Sequence, residues 1–256
     1  MQWVDVDGGS IAVRIYGDGP PVVLVHGAGG DGHNWDRLLT RIPGRRCVVI
    51  DRAGYGSSRW HASAPPSRAD HGQHLVTVAA SLVGRPCDAV GTSGGALAVI
   101  EALRGDPLLF RRIVLIEPPL KLTAAQTTVS TGSTAPPAAT ADLRTRGIES
   151  VRRLDAAAWD ALGEEEQERY IKSFSSMFRE TGQPPYELSS SQLAAITTPA
   201  LVLAGSRTTP RLAALSRDVA GALPTAAFAE VPGAAHLMYV THPDQVAAHI
   251  ETFLSA

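Results

Sequence analysis

The sequence predicts an α/β fold: a mostly parallel sheet of about eight strands, helices on both faces, and a small helical insertion over one edge. Three observations lead there. Continuous apolar runs, such as Val22-Val-Leu-Val25 and Ile113-Val-Leu-Ile116, are how strands covered on both faces read. Helical spacings alternate with those runs, and strand–helix–strand alternation implies right-handed parallel crossovers. The length, 256 residues at 44% hydrophobic and 19% charged, suits one domain of ordinary size that needs no covalent staples.

The elements follow in order. Gln2–Val6 and residues 11–16, joined at Asp7-Gly8-Gly9, form a hairpin. Strands then fall at 22–26, 47–51, 89–92 and 113–117, with helices near 35–42, 69–83 and Gly94–Gly105 between them. After Glu117 the alternation stops. It resumes with strands at 200–204 and 227–231 and helices at 211–223 and 243–254. The stretch 123–141 is Thr, Ala, Ser, Pro and Gly with almost nothing large to bury, and reads as a mobile loop. Residues 142–181 have helical spacing and carry Trp159, Tyr170, Phe174, Met177 and Phe178, which need a surface to cover or a pocket to line. The core is therefore expected at 1–117 and 196–256, with a helical cap at 118–195 lying over the C-terminal ends of the strands.

Composition excludes several classes. Lys and Arg number 23 against 25 Asp and Glu, so a net charge of −2 leaves no nucleic-acid footprint. Cys47 and Cys87 are too few for a disulfide framework and each begins an apolar run, so both are expected as buried thiols. The start, Met1-Gln-Trp-Val-Asp5, lacks the basic-then-apolar order of a signal peptide, and no window approaches ~18 apolar residues. The expectation is a cytoplasmic protein with no membrane partner; the oligomeric state stays open. No Cys, His and carboxylate spacing points to a metal, and no cofactor is expected.

The chemistry centres on Gly91-Thr-Ser93-Gly94-Gly95. A strand runs into Gly-x-Ser-x-Gly and a helix follows at once, the context of a nucleophile elbow. Gly91 and Gly95 let strand and helix approach, and Ser93 is forced outward beside a helix N-terminus. A serine hydroxyl needs a base. Of eight histidines, His236 follows the last strand, at the edge where open parallel sheets gather reactive groups. His71, His74 and His249 belong to helices, and His242 stands before Pro243 as a helix cap. An oxyanion hole needs two N–H donors. Gly94 supplies one and Ala28, in His26-Gly27-Ala28-Gly29-Gly30, the other. Gly27 and Gly29 let that loop approach a ligand; it has neither Gly-x-Gly-x-x-Gly nor a Gly-Lys-Ser/Thr for phosphate.

These motifs, with Asp51-Arg-Ala-Gly-Tyr-Gly-Ser-Ser58 and Gly233-Ala-Ala-His236, resemble the α/β-hydrolase superfamily over nearly the whole chain. The resemblance implies a Ser-His-acid hydrolase. Most members carry an Asp a few residues after the seventh strand, yet here that stretch reads Gly205-Ser-Arg-Thr208-Thr-Pro210. Glu117, at the end of the sixth predicted strand, is the expected acid instead. That arrangement, and the ending Pro232-Gly-x-x-His-x-x-Tyr-Val-x-His-Pro243, are similar to the zearalenone-type lactone hydrolases. The implied activity is cleavage of a carboxylic ester or lactone, a small-molecule substrate. The alternatives are a cofactor-free lyase or cyclase on a biosynthetic intermediate, and a ligand receptor whose acid has been lost at Thr208. Trp35, Trp60, Tyr186, Leu237 and Met238 are candidates for lining the substrate pocket, and His33 for meeting it. Asp51 and Arg52 are expected to hold their own turn, and Glu164-Glu-Glu166 to be a solvated helix face.

Overall fold

The computed structural model describes residues 1–83, 86–123 and 142–256. Most of the predicted mobile loop, 124–141, lies outside the described residues. The strands are β1 (Gln2–Val6), β2 (Gly9–Tyr16), β3 (Pro21–Val25), β4 (Arg46–Ile50), β5 (Arg59–Trp60), β6 (Cys87–Thr92), β7 (Phe110–Ile116), β8 (Leu120–Thr123), β9 (Tyr186–Ser189), β10 (Ala200–Gly205) and β11 (Ala226–Val231). The helices are α1 (Asp36–Leu39), α2 (Arg68–Val78), α3 (Gly94–Gly105), α4 (Leu143–Ala161), α5 (Glu164–Thr181), α6 (Ser190–Ala194), α7 (Pro210–Ala222), α8 (Met238–Thr241) and α9 (Pro243–Ser255).

Nine strands make the central sheet in the order β1-β2-β4-β3-β6-β7-β10-β11, with β5 alongside β2. The six strands from β4 to β11 run parallel, while β1, β2 and β5 are antiparallel to their neighbours. The sheet is thus mixed, and larger than the eight mostly parallel strands expected. The additional strand, β5, is two residues long and too short to leave a periodic signal.

Alternate side chains of the parallel strands enter two cores. Val23, Val25, Ile113 and Leu115 pack with α2, α3 and the α7 residue Val219. Val22, Leu24, Val114 and Ile116 pack with α1, α8 and α9. Each such residue is fully buried, so each contributes on the order of 1.5–3 kcal/mol of apolar transfer. Both faces are covered, which is why these strands read as continuous apolar runs. Cys47 and Cys87 are buried within this packing.

The helical stretch 142–181 forms two helices, α4 and α5. Leu162 and Gly163 part them, and Glu166 caps the Gly163 N–H at the start of α5. α4 is itself kinked at Asp155 (φ −161°), whose carboxylate accepts the Ala158 N–H and recaps the second half. Trp159, Tyr170, Phe174 and Met177 are buried on the same face as α8, with the Trp159 ring edge-on to Tyr170. β8 and β9 pair in parallel and bring the two ends of the insertion together.

Candidate active site

Ser93 is the residue between β6 and α3, at φ +50° and ψ −119°. The local sequence allows this because a Cβ at Gly91 would lie 2.6 Å from the Gly95 carbonyl oxygen, and one at Gly95 would lie 2.2 Å from that of Val25. The Ser93 N–H donates to the Ile116 oxygen at 2.8 Å, which ties the turn to the end of β7. Ser93, Gly94, Ala28 and His236 all line one cleft of about 390 Å³. They come from the ends of three different strands, β6, β3 and β11, at the C-terminal edge of the sheet.

Glu117 follows β7 directly. With Ser93 it is one of two non-glycine residues at positive φ among those described, at +44°. A side chain is held in that region only when surrounding contacts over-determine it, and the Glu117 contacts are dense. Its N–H donates to the Leu203 oxygen at 2.9 Å. Its Oε1 accepts the Gly205 N–H at 2.8 Å and its Oε2 accepts the Thr208 hydroxyl at 2.8 Å. The same Oε2 meets His236 Nδ1 at 2.6 Å, fully buried. A carboxylate only accepts, so the proton of this bond sits on Nδ1 and Nε2 keeps the free lone pair. Thr208, standing where the resemblance implies a carboxylate, is a donor to the Glu117 carboxylate. The loop of His236 is held from the insertion as well: the Leu237 N–H donates to Asp155 Oδ2 at 3.0 Å.

The loop after β3 is held by buried groups. The His26 ring takes the Arg52 N–H on Nε2 at 2.9 Å and reaches the Gly27 oxygen through Nδ1 at 2.8 Å. Burial, and then Arg52, push its pKa down to about 3, so the ring is neutral and its tautomer set by these two bonds. Arg52 does more than hold its own turn. Its guanidinium reaches Glu180 at the end of α5 as well as the Gly27 oxygen. Burial raises the Glu180 carboxyl, but Arg52, His71 and the hydrogen bonds from Arg52 and Tyr55 outweigh it and hold it at about 2. Asp51 does hold its turn, accepting from Gly32 N, Ser57 N and Arg14.

The structure separates the other candidates. Gly27 packs against the elbow, where an added Cβ would lie 3.1 Å from that of Ser93. Gly29, at φ +95°, faces Tyr170 and Met177 of α5. Tyr186 lines the cleft. Trp35, Leu237 and Met238 do not: all three are buried in the core of the α8 face, with Trp35 against Tyr239. Trp60 sits in β5, packs on His74, and lines a separate pocket of about 280 Å³. His33 pairs with Asp36 away from the cleft. His242 binds the Thr241 hydroxyl and makes no side-chain cap to α9. Of the acidic run, Glu166 pairs with Arg37 and caps α5, so that face is not merely solvated. The cleft walls missed in the sequence include the apolar Leu97, Leu154, Leu212 and Leu215 and the charged Arg68, Lys121 and Arg211; the four leucines were missed because they lie on three helices, α3, α4 and α7, remote from one another in the chain. Arg52, Asp155 and Glu180 were missed for the same reason: their partners are 82 to 128 residues away. Among the described residues no group of three His, Cys, Asp or Glu side chains could hold a metal ion, and no helix is long and apolar enough to cross a membrane.

Residues 22–249 match the alpha/beta hydrolase family. An esterase of Mycobacterium tuberculosis is 30% identical over 113 residues, 44% of this chain and 38% of the relative. A pyrrolizixenacetamide deacetylase of Xenorhabdus hominickii is 35% identical over 127 residues, 45% of this chain and 44% of the relative. The alignments thus span less than half the length of these curated relatives. Among solved structures, the enol-lactonase of Burkholderia xenovorans is similar with a TM-score of 0.81 and 17% identity, covering 100% of both chains. An esterase of a Rhodococcus species is similar at a TM-score of 0.75 and 23% identity, over 99% of this chain and 98% of that one. At these identities the structural likeness is one of fold.

Proposed function

The chain belongs to the alpha/beta hydrolase family, and on that premise we propose that it hydrolyses a carboxylic ester or lactone through an acyl-enzyme on Ser93. One observation carries the reading: a buried Glu117 carboxylate 2.6 Å from Nδ1 of a histidine that shares the Ser93 cleft. Two relatives named as an esterase and a deacetylase support acyl-group hydrolysis as the reaction class, and the leucine walls suit an apolar acyl or alcohol portion. Glu117 in this place is also what the chain shares with the zearalenone-type lactone hydrolases it resembles.

In this mechanism Ser93 Oγ attacks the carbonyl carbon while His236 Nε2 takes its proton. The Glu117 carboxylate stabilises the resulting imidazolium and keeps the ring oriented. The N–H groups of Ala28 and Gly94 receive the oxyanion. The carbon–oxygen bond to the alcohol breaks, and His236 returns the proton to the departing alkoxide. A water molecule then gives its proton to His236 as its oxygen attacks the acyl carbon, and Ser93 leaves with that proton. With a lactone, the freed hydroxyl stays on the acyl-enzyme, and the second step releases a single hydroxy acid.

The test is covalent. A fluorophosphonate should label Ser93, and a panel of activated esters and lactones should reveal turnover. Ser93→Ala should lose the label and about 10³-fold or more in rate, with melting temperature nearly unchanged, since Gly91 and Gly95 set the turn. Activity within tenfold of the parent would rule out Ser93 as nucleophile.

A further inference from the structure

We propose that Arg52 is a positioning residue for the oxyanion donor at Ala28, and that Glu180 of the insertion holds Arg52 in that role. The inference rests on the acyl-enzyme reading above and adds a part to its machinery.

The argument starts from one peptide unit. The Gly27 carbonyl oxygen accepts from Arg52 Nη2 and from His26 Nδ1, each at 2.8 Å. In a trans peptide, the norm for a non-proline bond, the following N–H points the opposite way. Two buried donors on the Gly27 oxygen therefore turn the Ala28 N–H away from Arg52, and Ala28 lines the cleft of Ser93. A cation on the carbonyl side also polarises the unit and strengthens its N–H as a donor.

Arg52 is itself held. It is 2% exposed and binds Glu180 through both Nη atoms, at 3.0 and 2.9 Å. Tyr55 donates its hydroxyl to the same Glu180 carboxylate at 2.5 Å and lies under the guanidinium at 4.8 Å. α5 also touches the loops on either side: the Gly30 N–H donates to Ser173 Oγ at 2.7 Å, and Ser176 Oγ donates to the Gly54 oxygen at 2.6 Å. Three residues of one insertion helix thus brace the strand-end loops that carry the oxyanion donor.

The position of Glu180 sharpens the point. A Cβ at Gly94 would lie 2.3 Å from Glu180 Oε1, so a carboxylate stands beside the second oxyanion donor. An unpaired anion there would oppose a developing oxyanion. Arg52 neutralises it while binding the first donor's peptide, so one guanidinium serves both halves of the hole. The Glu180 carboxyl, held at about 2, is ionised throughout the working pH range.

The test uses the full chain with p-nitrophenyl butyrate as substrate, a trifluoromethyl ketone as analogue of the tetrahedral adduct, and fluorophosphonate titration to count active sites. Per active site, Arg52→Gln should lower kcat by about 10²-fold with KM within roughly threefold, as for loss of an oxyanion donor. The ketone's affinity should fall by a similar factor. Glu180→Gln, which keeps a hydrogen-bonding partner for Arg52 and Tyr55, should lower kcat by about tenfold. Arg52→Lys should recover part of the Arg52→Gln loss. If Arg52→Gln does not fold, Arg52→Lys and Glu180→Gln carry the test. A merely structural role would reduce the number of titrated sites and leave kcat per site and ketone affinity intact, which overturns the inference. An active parent with all variants within threefold of it overturns the inference alone. A parent that turns over no ester and takes no label overturns the acyl-enzyme reading, and this inference with it.

Discussion

Two carboxylates flank Ser93, Glu117 fully buried and Glu180 partly so, and they are managed in opposite ways. Glu180 has a permanent cation: Arg52 binds it through both Nη atoms, and Tyr55 adds a third donor. Glu117 receives one backbone N–H and one threonine hydroxyl, and its ion-pair partner among the described residues is His236. A carboxylate already neutralised gains little from a nearby proton transfer. One whose counter-charge appears only when the histidine is protonated gains most at the moment the serine loses its proton. On the proposed reading the two groups do different work: Glu117 serves the reaction and Glu180 holds the scaffold around it.

The comparison breaks first at Glu117. Glu117→Gln keeps the volume but removes the charge and can favour the wrong His236 tautomer, so kcat should fall by up to about 10⁴ with KM little changed. Adding Thr208→Asp should recover part of that loss, because Thr208 Oγ1 already lies against the carboxylate that touches His236. Steady-state kinetics decide it, and full activity in Glu117→Gln would remove Glu117 from the mechanism.

Stability should respond the other way round. Arg52→Met leaves the partly buried Glu180 charge without its partner and should cost up to about 3 kcal/mol, whereas Arg52→Met with Glu180→Met should restore most of it. Urea unfolding of the two variants measures this. An undiminished single variant would mean that Glu180 finds water or another cation.

A smaller effect is expected at Thr208. Thr208→Val removes one neutral donor to the Glu117 carboxylate and should lower kcat/KM by roughly three- to tenfold, with the fold intact. A change of more than about 10²-fold would give Thr208 a larger role than orienting Glu117.

A further effect is in the pH dependence of folding. His26 is pushed down to about 3 in the folded chain from its ordinary 6.5, so the unfolded chain binds the extra proton between those values. Stability is then full above about 6.5 and falls as the pH drops toward 3, at up to roughly 1.4 kcal/mol per pH unit per proton. His71, lowered by burial and Arg52, acts in the same direction. Glu180, held at about 2, adds a further loss only as the pH falls below its ordinary 4.5. Unfolding free energies at pH 7, 5.5 and 4.5 should therefore decline, and His26→Gln should flatten the decline. A parent equally stable at all three would contradict a neutral buried His26.

Several of these groups were legible in the chain and others were not. Ser93 could be read because its neighbours announce it: Gly91 and Gly95 stand two residues away in a strand-to-helix turn. Glu117 could be read from an absence and a presence: Gly205 to Pro210 offers no carboxylate, while Glu117 ends the strand next along from the elbow. Arg52 read as part of a local turn, and Glu180 was not singled out, because nothing within a helical turn of either shows that they meet. Trp35, Leu237 and Met238 failed as pocket candidates for a related reason. Trp35 and Met238 are apolar residues next to reactive loops, and sequence alone does not say which side of a loop faces the cleft and which faces the core.

What the sequence determined by itself is local. Apolar runs define strands buried on both faces, glycines permit the elbow, and turn residues end the elements, because backbone sterics and periodic burial act over a few residues. What the tertiary structure decided is pairing across the chain. It sets Glu117 against a histidine 119 residues later, binds Arg52 to a helix of the insertion, and tucks β5 beside β2. Those contacts depend on where independent elements come to rest, and the free energy that selects them, burial of charge with its partner and of apolar surface with its complement, exists only once the elements are packed.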